Sequence, residues 1–264
     1  SICSIEDVRS VTTKPFWFQL YVMQDKDFVH NLIDRAKAAG CSALVLTLDL
    51  QILGQRHKDI KNGLTSPPRL TLPNILNMMT KPRWSLGMLG TPRRSFGNIV
   101  GHVKGVDDLV SLTRWTNEQL DPCLDWAKVR RIRDQWGGKL ILKGILDAED
   151  ARLAADTGAD AVIVSNHGGR QLDGALSTIR VLPQVVRAVG DRTEVFLDSG
   201  IRSGQDVLKA LALGAKGTFI GRSYLHGLGA MGQAGVTKAL EVIHAELDPS
   251  MALCGAQKAS DLGP

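Results

Sequence analysis

The chain predicts an α/β fold in which a parallel sheet curls into a (β/α)8-type ring, and three observations carry that prediction. Short apolar runs alternate with amphipathic helical patterns, several of those patterns stop at a glycine, and nearly every apolar run hands over to polar residues at its C-terminal end. The runs cover residues 16–22, 43–48, 140–145, 161–165, 195–198 and 218–220. Helical patterns over 28–39, 148–157 and 205–213 end at Gly40, Gly158 and Gly214, where a helix commonly closes. Strand, helix, glycine, strand is the rhythm of parallel strands joined by right-handed crossovers.

The polar residues at the strand ends argue for a ring over an open sheet. In chain order they are Gln19 and Tyr21, Thr47 and Asp49, Lys143, His167 and Arg170, Asp198 and Arg202, then Gly221 and Arg222. A barrel builds its site from the C-terminal ends of many strands. A doubly wound sheet gathers ligands only near its switch point. A full ring needs about eight strands, whereas six runs are found after a helix-like segment at 5–10. The ring is therefore expected to lack its first two strands; a smaller open six-stranded sheet is the alternative.

At 264 residues with a formal charge of +5, the chain has the length of one large domain. No apolar stretch reaches the roughly 18 residues of a spanning helix, and residues 1–8 lack a signal-peptide pattern, so a cytoplasmic location is the default expectation. Cys3, Cys41, Cys123 and Cys254 are scattered, which reads as reduced thiols without a metal site. No zinc-finger spacing or aromatic-basic RNA signature points to nucleic acid.

The interval between the second and third runs is far longer than one helix requires. We read residues 1–264 as one barrel domain, partial in this chain, with an insert at about 57–118. Between Ile60 and Val106 there is no acidic residue, while Lys61, Arg69, Lys81, Arg83, Arg93, Arg94 and Lys104 are basic, and Leu72, Ile75, Leu76, Met79, Trp84, Leu86 and Leu89 are interleaved with them. Such a segment suits an anionic membrane surface. A loop packed on its own domain or on a neighbouring subunit is the competing reading.

Residues 165–173 read Ser-Asn-His-Gly-Gly-Arg-Gln-Leu-Asp and follow the apolar run directly. His167 is the natural proton carrier near neutral pH, and Arg170 offers a planar fork for a carboxylate or phosphate. Together they point to acid–base chemistry on an anion. With residues 18–22 (FQLYV), 46–49 (LTLD), 54–56 (GQR), 142–144 (LKG) and 198–204 (DSGIRSG), this motif resembles the FMN-dependent 2-hydroxy acid dehydrogenase and oxidase family. The likeness runs in order along essentially the whole chain. It is nearest to the bacterial respiratory L-lactate dehydrogenase branch at 143–150, 198–204 and 232–235.

The resemblance implies a TIM barrel, FMN as cofactor and oxidation of a small 2-hydroxy acid, with L-lactate to pyruvate as the expected reaction. His167 is similar to the family's base, Asp49 to the carboxylate that supports its charge, and Tyr21 to the donor that meets the substrate oxygen. Arg56 and Arg170 would clamp the substrate carboxylate. Lys143 resembles the lysine near the flavin, Gln19 and Thr47 would hydrogen-bond its ring, and Asp198, Ser199, Gly200, Arg202, Gly221 and Arg222 would surround its phosphate chain. Electrons are expected to pass to a membrane quinone or another acceptor, from a peripheral position on the inner face of the bacterial plasma membrane, and the family is often a homo-oligomer.

The family's first two strands, an early substrate-contacting tyrosine and several FMN contacts have no counterpart here. The polypeptide alone is accordingly expected to fold poorly or hold FMN weakly. Three alternatives stay open: an oxidase that delivers electrons to oxygen, an inactive truncated product, and another FMN barrel such as a type 2 isopentenyl diphosphate isomerase. Residues 227–232 match GxGxxG formally, but residues 224–226 separate them from the nearest apolar run, so no dinucleotide fingerprint is expected there.

Overall fold

A computed structural model describes residues 2–263 apart from 53, 64–70, 92, 94, 104, 107–110, 112–114, 116 and 117. The chain is α/β. Its strands are β1 (Trp17–Tyr21), β2 (Ala43–Thr47), β3 (Lys139–Ile145), β4 (Ala161–Val164), β5 (Glu194–Leu197) and β6 (Gly217–Thr218). They form one parallel sheet in sequence order, β1-β2-β3-β4-β5-β6, and among the described residues β1 and β6 are its edges.

Helices precede β1 (α1, Ile5–Val11) and cross between strands: α2 (Lys26–Ala38), α6 (Trp126–Trp136), α7 (Ala148–Asp156), α8 (Thr178–Val189) and α9 (Gly204–Ala212). Their starts are set by polar caps. Asp25, Asp125, Asp147 and Ser203 each accept a bond from an amide of the first turn. After β6 come α10 (Arg222–Met231) and α11 (Gln233–Leu253). The formal GxGxxG stretch lies inside α10 and at the start of α11, as an element of helix packing.

Alternation along the strands divides the molecule into two apolar layers. Leu20, Leu44, Leu46, Leu140, Leu142, Val162 and Leu197 face the helices and are almost wholly buried; each contributes about 2 kcal/mol by leaving water. On the other face, Ala43, Val45, Ile141, Ala161 and Ile163 form a separate inner cluster with Phe196 and Phe219. Trp17 of β1 meets Phe196 of β5 at 6.1 Å and Phe219 beyond β6 at 5.8 Å between ring centroids. The first and last strands thus meet through aromatic rings across the inner face, which shows how strongly the sheet curls.

The long interval between β2 and β3 contains short helices, α3 (His57–Lys61), α4 (Leu72–Met79) and α5 (Pro82–Leu89). Leu72, Ile75, Leu76, Met79, Trp84, Leu86, Met88 and Leu89 are exposed on α4 and α5. Arg69, Arg94 and Lys104, three of its basic residues, lie outside the described residues. No helix among the described residues is long and apolar enough to cross a membrane. Cys41 is buried and Cys3, Cys123 and Cys254 are exposed, all four as free thiols.

Candidate active site

The inner face turns polar at the C-terminal end of the sheet. Register places Tyr21, Thr47 and Lys143 in one row across β1, β2 and β3. Gln19, one inward position earlier on β1, donates from Nε2 to Thr47 Oγ1 at 2.7 Å and to Tyr21 Oη at 3.2 Å. Both amide protons of Gln19 are spent in this way, which leaves its carbonyl oxygen as an acceptor and leaves the Tyr21 proton free to donate. Burial, followed by the negative charge of Asp49, pushes the Tyr21 phenol above its usual value. It remains a donor throughout the neutral range.

Two residues after β2, Asp49 Oδ1 lies 3.0 Å from His167 Nδ1. A carboxylate can only accept here, so Nδ1 carries the proton of this contact and Nε2 is left to face the cavity. Asp49 Oδ2 is buried without a hydrogen bond and faces Lys143 Nζ at 3.8 Å. Lys143 also pairs with Asp198 at 3.2 Å and donates to Ser165 Oγ at 2.8 Å. One cation between two carboxylates leaves this trio with a net negative charge.

His167 sits in a single 3-10 turn, His167–Gly169, directly after β4. Asn166 caps the turn by accepting from Gly169 N at 3.2 Å. Arg170 leaves the turn and pairs with Asp59 of α3 at 3.1 Å. Arg56 binds the same loop, through Nε to the Arg170 carbonyl at 3.4 Å and through Nη2 to Gln171 Oε1 at 3.3 Å. Gly54 allows this approach, because a Cβ there would stand 2.5 Å from the Gln171 carbonyl oxygen. Burial and then the Arg170 charge pull the Arg56 guanidinium below its usual value. Two cations repelling each other in a half-buried place are ready for an anion.

The cavity of about 710 Å³ at this end is lined by Gln19, Tyr21, Lys143, His167 and Arg170 on one side and by Gly200, Arg202, Gly221 and Arg222 on the other. Val45, Ile163 and Phe219 supply apolar wall between them. Among the described residues no side chain caps the start of α10, and none lies within 4 Å of the place a Cβ would take at Gly221. Uncapped amides at a helix start, with Arg222 and Arg202 beside them, suit a phosphate. Lys143 and the Gln19 carbonyl suit the polar edge of a ring at the opposite end, so the residues present fit FMN.

The structure joins His167, Asp49, Lys143, Asp198 and Ser199 in one network of hydrogen bonds and ion pairs, and Gln19, Tyr21 and Thr47 in a second, which lies within reach of the Asp49 charge. Arg56 reaches the first network through the Arg170 loop rather than by lining the cavity itself. Arg222 is already engaged, donating to the Gly168 carbonyl at 2.8 Å. Sequence reasoning misses Ser165, Asp59 and Gln171. Ser165 and Gln171 stand in the quoted motif of residues 165–173 without an assigned role, and Asp59 is the acid in the charged run of residues 56–59. Among the described residues no cluster could hold a metal ion.

Comparison with known proteins identifies the family. The model of the FMN-dependent dehydrogenases matches residues 1–264. L-lactate dehydrogenase of Caulobacter vibrioides is 45% identical over 267 residues, covering 99% of this chain and 68% of that protein. L-lactate dehydrogenase of Pseudomonas syringae pv. syringae is 47% identical over 260 residues, 97% of this chain and 67% of its own length. Among solved structures, (S)-mandelate dehydrogenase, described as a monotopic membrane protein, superimposes with a TM-score of 0.93 at 37% identity over 100% of this chain and 69% of that one. Mandelate oxidase does so at 0.79 and 36%, over 99% and 66%. With the family model spanning every residue and relatives of 45% and 47% identity matching nearly the whole chain, the chain belongs to the FMN-dependent dehydrogenase family and shares its oxidation of 2-hydroxy acids.

Proposed function

We propose that the chain oxidises L-lactate to pyruvate and passes the electrons to a quinone in the membrane. The observation that carries this reading is the His167–Asp49 pair at 3.0 Å, which faces the same cavity as Arg170 and Lys143. FMN, when bound, supplies the two-electron acceptor for the substrate's α-carbon. Arg170 and Arg56 hold the substrate carboxylate, which replaces Asp59 on Arg170. Tyr21 donates to the substrate oxygen, and His167 Nε2 receives a proton as the α C–H bond breaks. Asp49 offsets the charge that then develops on the imidazole.

The relatives named L-lactate dehydrogenase support lactate over larger acids. The exposed apolar faces of α4 and α5, in a segment without acidic residues, support docking on an anionic bilayer. The monotopic relative supports the same placement, and on this reading the chain sits on the cytoplasmic face of that membrane. A second reading, electron delivery to oxygen, is favoured by the likeness to mandelate oxidase.

The test is turnover of the FMN-loaded chain with L-lactate, D-lactate, glycolate and (S)-mandelate, followed by quinone-analogue reduction and by oxygen uptake. Preference for L-lactate with reduction of the quinone analogue is expected. Faster turnover of (S)-mandelate overturns the substrate, and oxygen uptake matching turnover overturns the acceptor.

A further inference from the structure

Among the described residues, two that are not glycine hold a left-handed backbone: His167 at φ +55° and Ser199 at φ +69°. A side chain with a Cβ rarely adopts that region, and where one does the surroundings hold it there. These two residues are held by each other's loops. Ser199 Oγ accepts from Gly168 N at 2.9 Å and from Asn166 N at 3.3 Å, the amides on either side of His167. It donates to Asp198 Oδ1 at 2.6 Å. One proton given and two lone pairs filled is the whole capacity of a hydroxyl.

The circuit closes on the other side. Asp198 Oδ2 pairs with Lys143, Lys143 donates to Ser165 Oγ, and the same Ser165 oxygen accepts from His167 N at 3.1 Å. Three consecutive amides, 166, 167 and 168, thus end on two serine hydroxyls, and both hydroxyls are tied to the Lys143–Asp198 pair. From beneath, Thr178 Oγ1 lies 2.8 Å from the Asp198 carbonyl and 2.9 Å from that of Ser199, which fixes the backbone at Ser199.

We propose that Ser199 is a positioning residue for His167, and that its hydroxyl sets the imidazole against Asp49 and joins the base to the lysine of the flavin cradle. This rests on the reading of His167 as the base. Toward a phosphate, Ser199 then offers only its main chain, since its hydroxyl is fully used. The side chain touches neither Arg56 nor Arg170, so substrate capture does not depend on it.

Two substitutions separate the hydroxyl from the fold. Ser199→Gly removes the hydroxyl and relieves the left-handed strain, whereas Ser199→Ala removes the hydroxyl and keeps the strain. With the FMN-supplemented chain and L-lactate, both are expected to lower kcat by about tenfold or more and to leave KM within about twofold. Hydrogen exchange at the Gly168 amide is expected to quicken by about tenfold while Ile163 in β4 stays protected.

His167→Gln runs beside them. If it keeps wild-type turnover, the reading of His167 fails on its own account. If it is inactive while both Ser199 variants keep kcat within about twofold, the positioning role is overturned and the base stands. A joint fall in kcat, melting temperature and β4 protection also overturns it, because Ser199 would then be structural only. Unchanged exchange at Gly168 does so with or without turnover.

Discussion

Gly144 presses against the side chain of Asp49. It holds φ +106°, and a Cβ there would stand 2.7 Å from Asp49 Cβ and 2.9 Å from its backbone nitrogen. The β3–β4 register shifts between Lys143 and Ile145, so the strand bends where the carboxylate that orients His167 needs room. Gly144→Ala is expected to push Asp49 off His167. We expect kcat to fall by about tenfold to a hundredfold and stability by about 1–3 kcal/mol, read by steady-state kinetics and thermal melting. Unaltered kinetics would refute the contact's importance.

Asp59 binds Arg170 at 3.1 Å, and on the proposed reading it would compete there with the substrate carboxylate. Asp59→Asn is expected to lower KM for L-lactate by about threefold to tenfold, and Arg170→Lys to raise it by about tenfold or more, because a point charge does not replace a fork. Initial rates over a range of L-lactate decide both. A higher KM for Asp59→Asn would mean that the acid helps to hold Arg170 in its working pose.

Glu6 accepts two bonds from Arg35 at 2.7 Å, and that hydrogen bonding holds its carboxyl at about 2 against an ordinary 4.5. The folded protein favours the ionised form, so the stabilisation is complete above about 4.5 and drains away as pH falls through about 2. Its size is small, since Glu6 is 56% exposed. The gap in melting temperature between wild type and Glu6→Gln is expected to shrink over that window. A gap that stays constant would place the effect in packing rather than in charge.

Leu86 and Leu89 on α5 are 68% and 69% exposed. Changing both to Ser is expected to weaken co-sedimentation with phosphatidylglycerol vesicles by about tenfold or more, with soluble-dye turnover unchanged. Equal binding by the double variant would remove α5 from the membrane face.

The sheet is legible because alternation is strict where it matters. Leu44 and Leu46 go to the helices while Val45 and Thr47 go inward, and all six strands lie where short apolar runs place them. His167 and Arg170 are legible because one turn carries both. Asp49 is 118 residues from His167, and no spacing reveals that contact; the family resemblance suggests it. Two features escape a reading of residues altogether. Pro73 and Pro82 look like breaks, yet each occupies the first turn of a helix, where its missing N–H costs nothing. The left-handed backbone at Ser199 depends on Thr178, Asn166 and Gly168, which only the fold brings to it.

Trp17 carries a consequence of another kind. Its ring rests on Phe196 and Phe219, from the opposite end of the sheet, and these rings also contact each other at 5.8 Å. Trp17 and Phe219 form part of the cavity wall as well. Among the described residues β1 and β6 are the two edges of the sheet, so the rings act as a clasp between two jaws and bear on the spacing between Tyr21 on one and Arg222 on the other. On the proposed reading, the distance between the substrate end and the phosphate end of the cavity is then tuned from beneath, by these three rings.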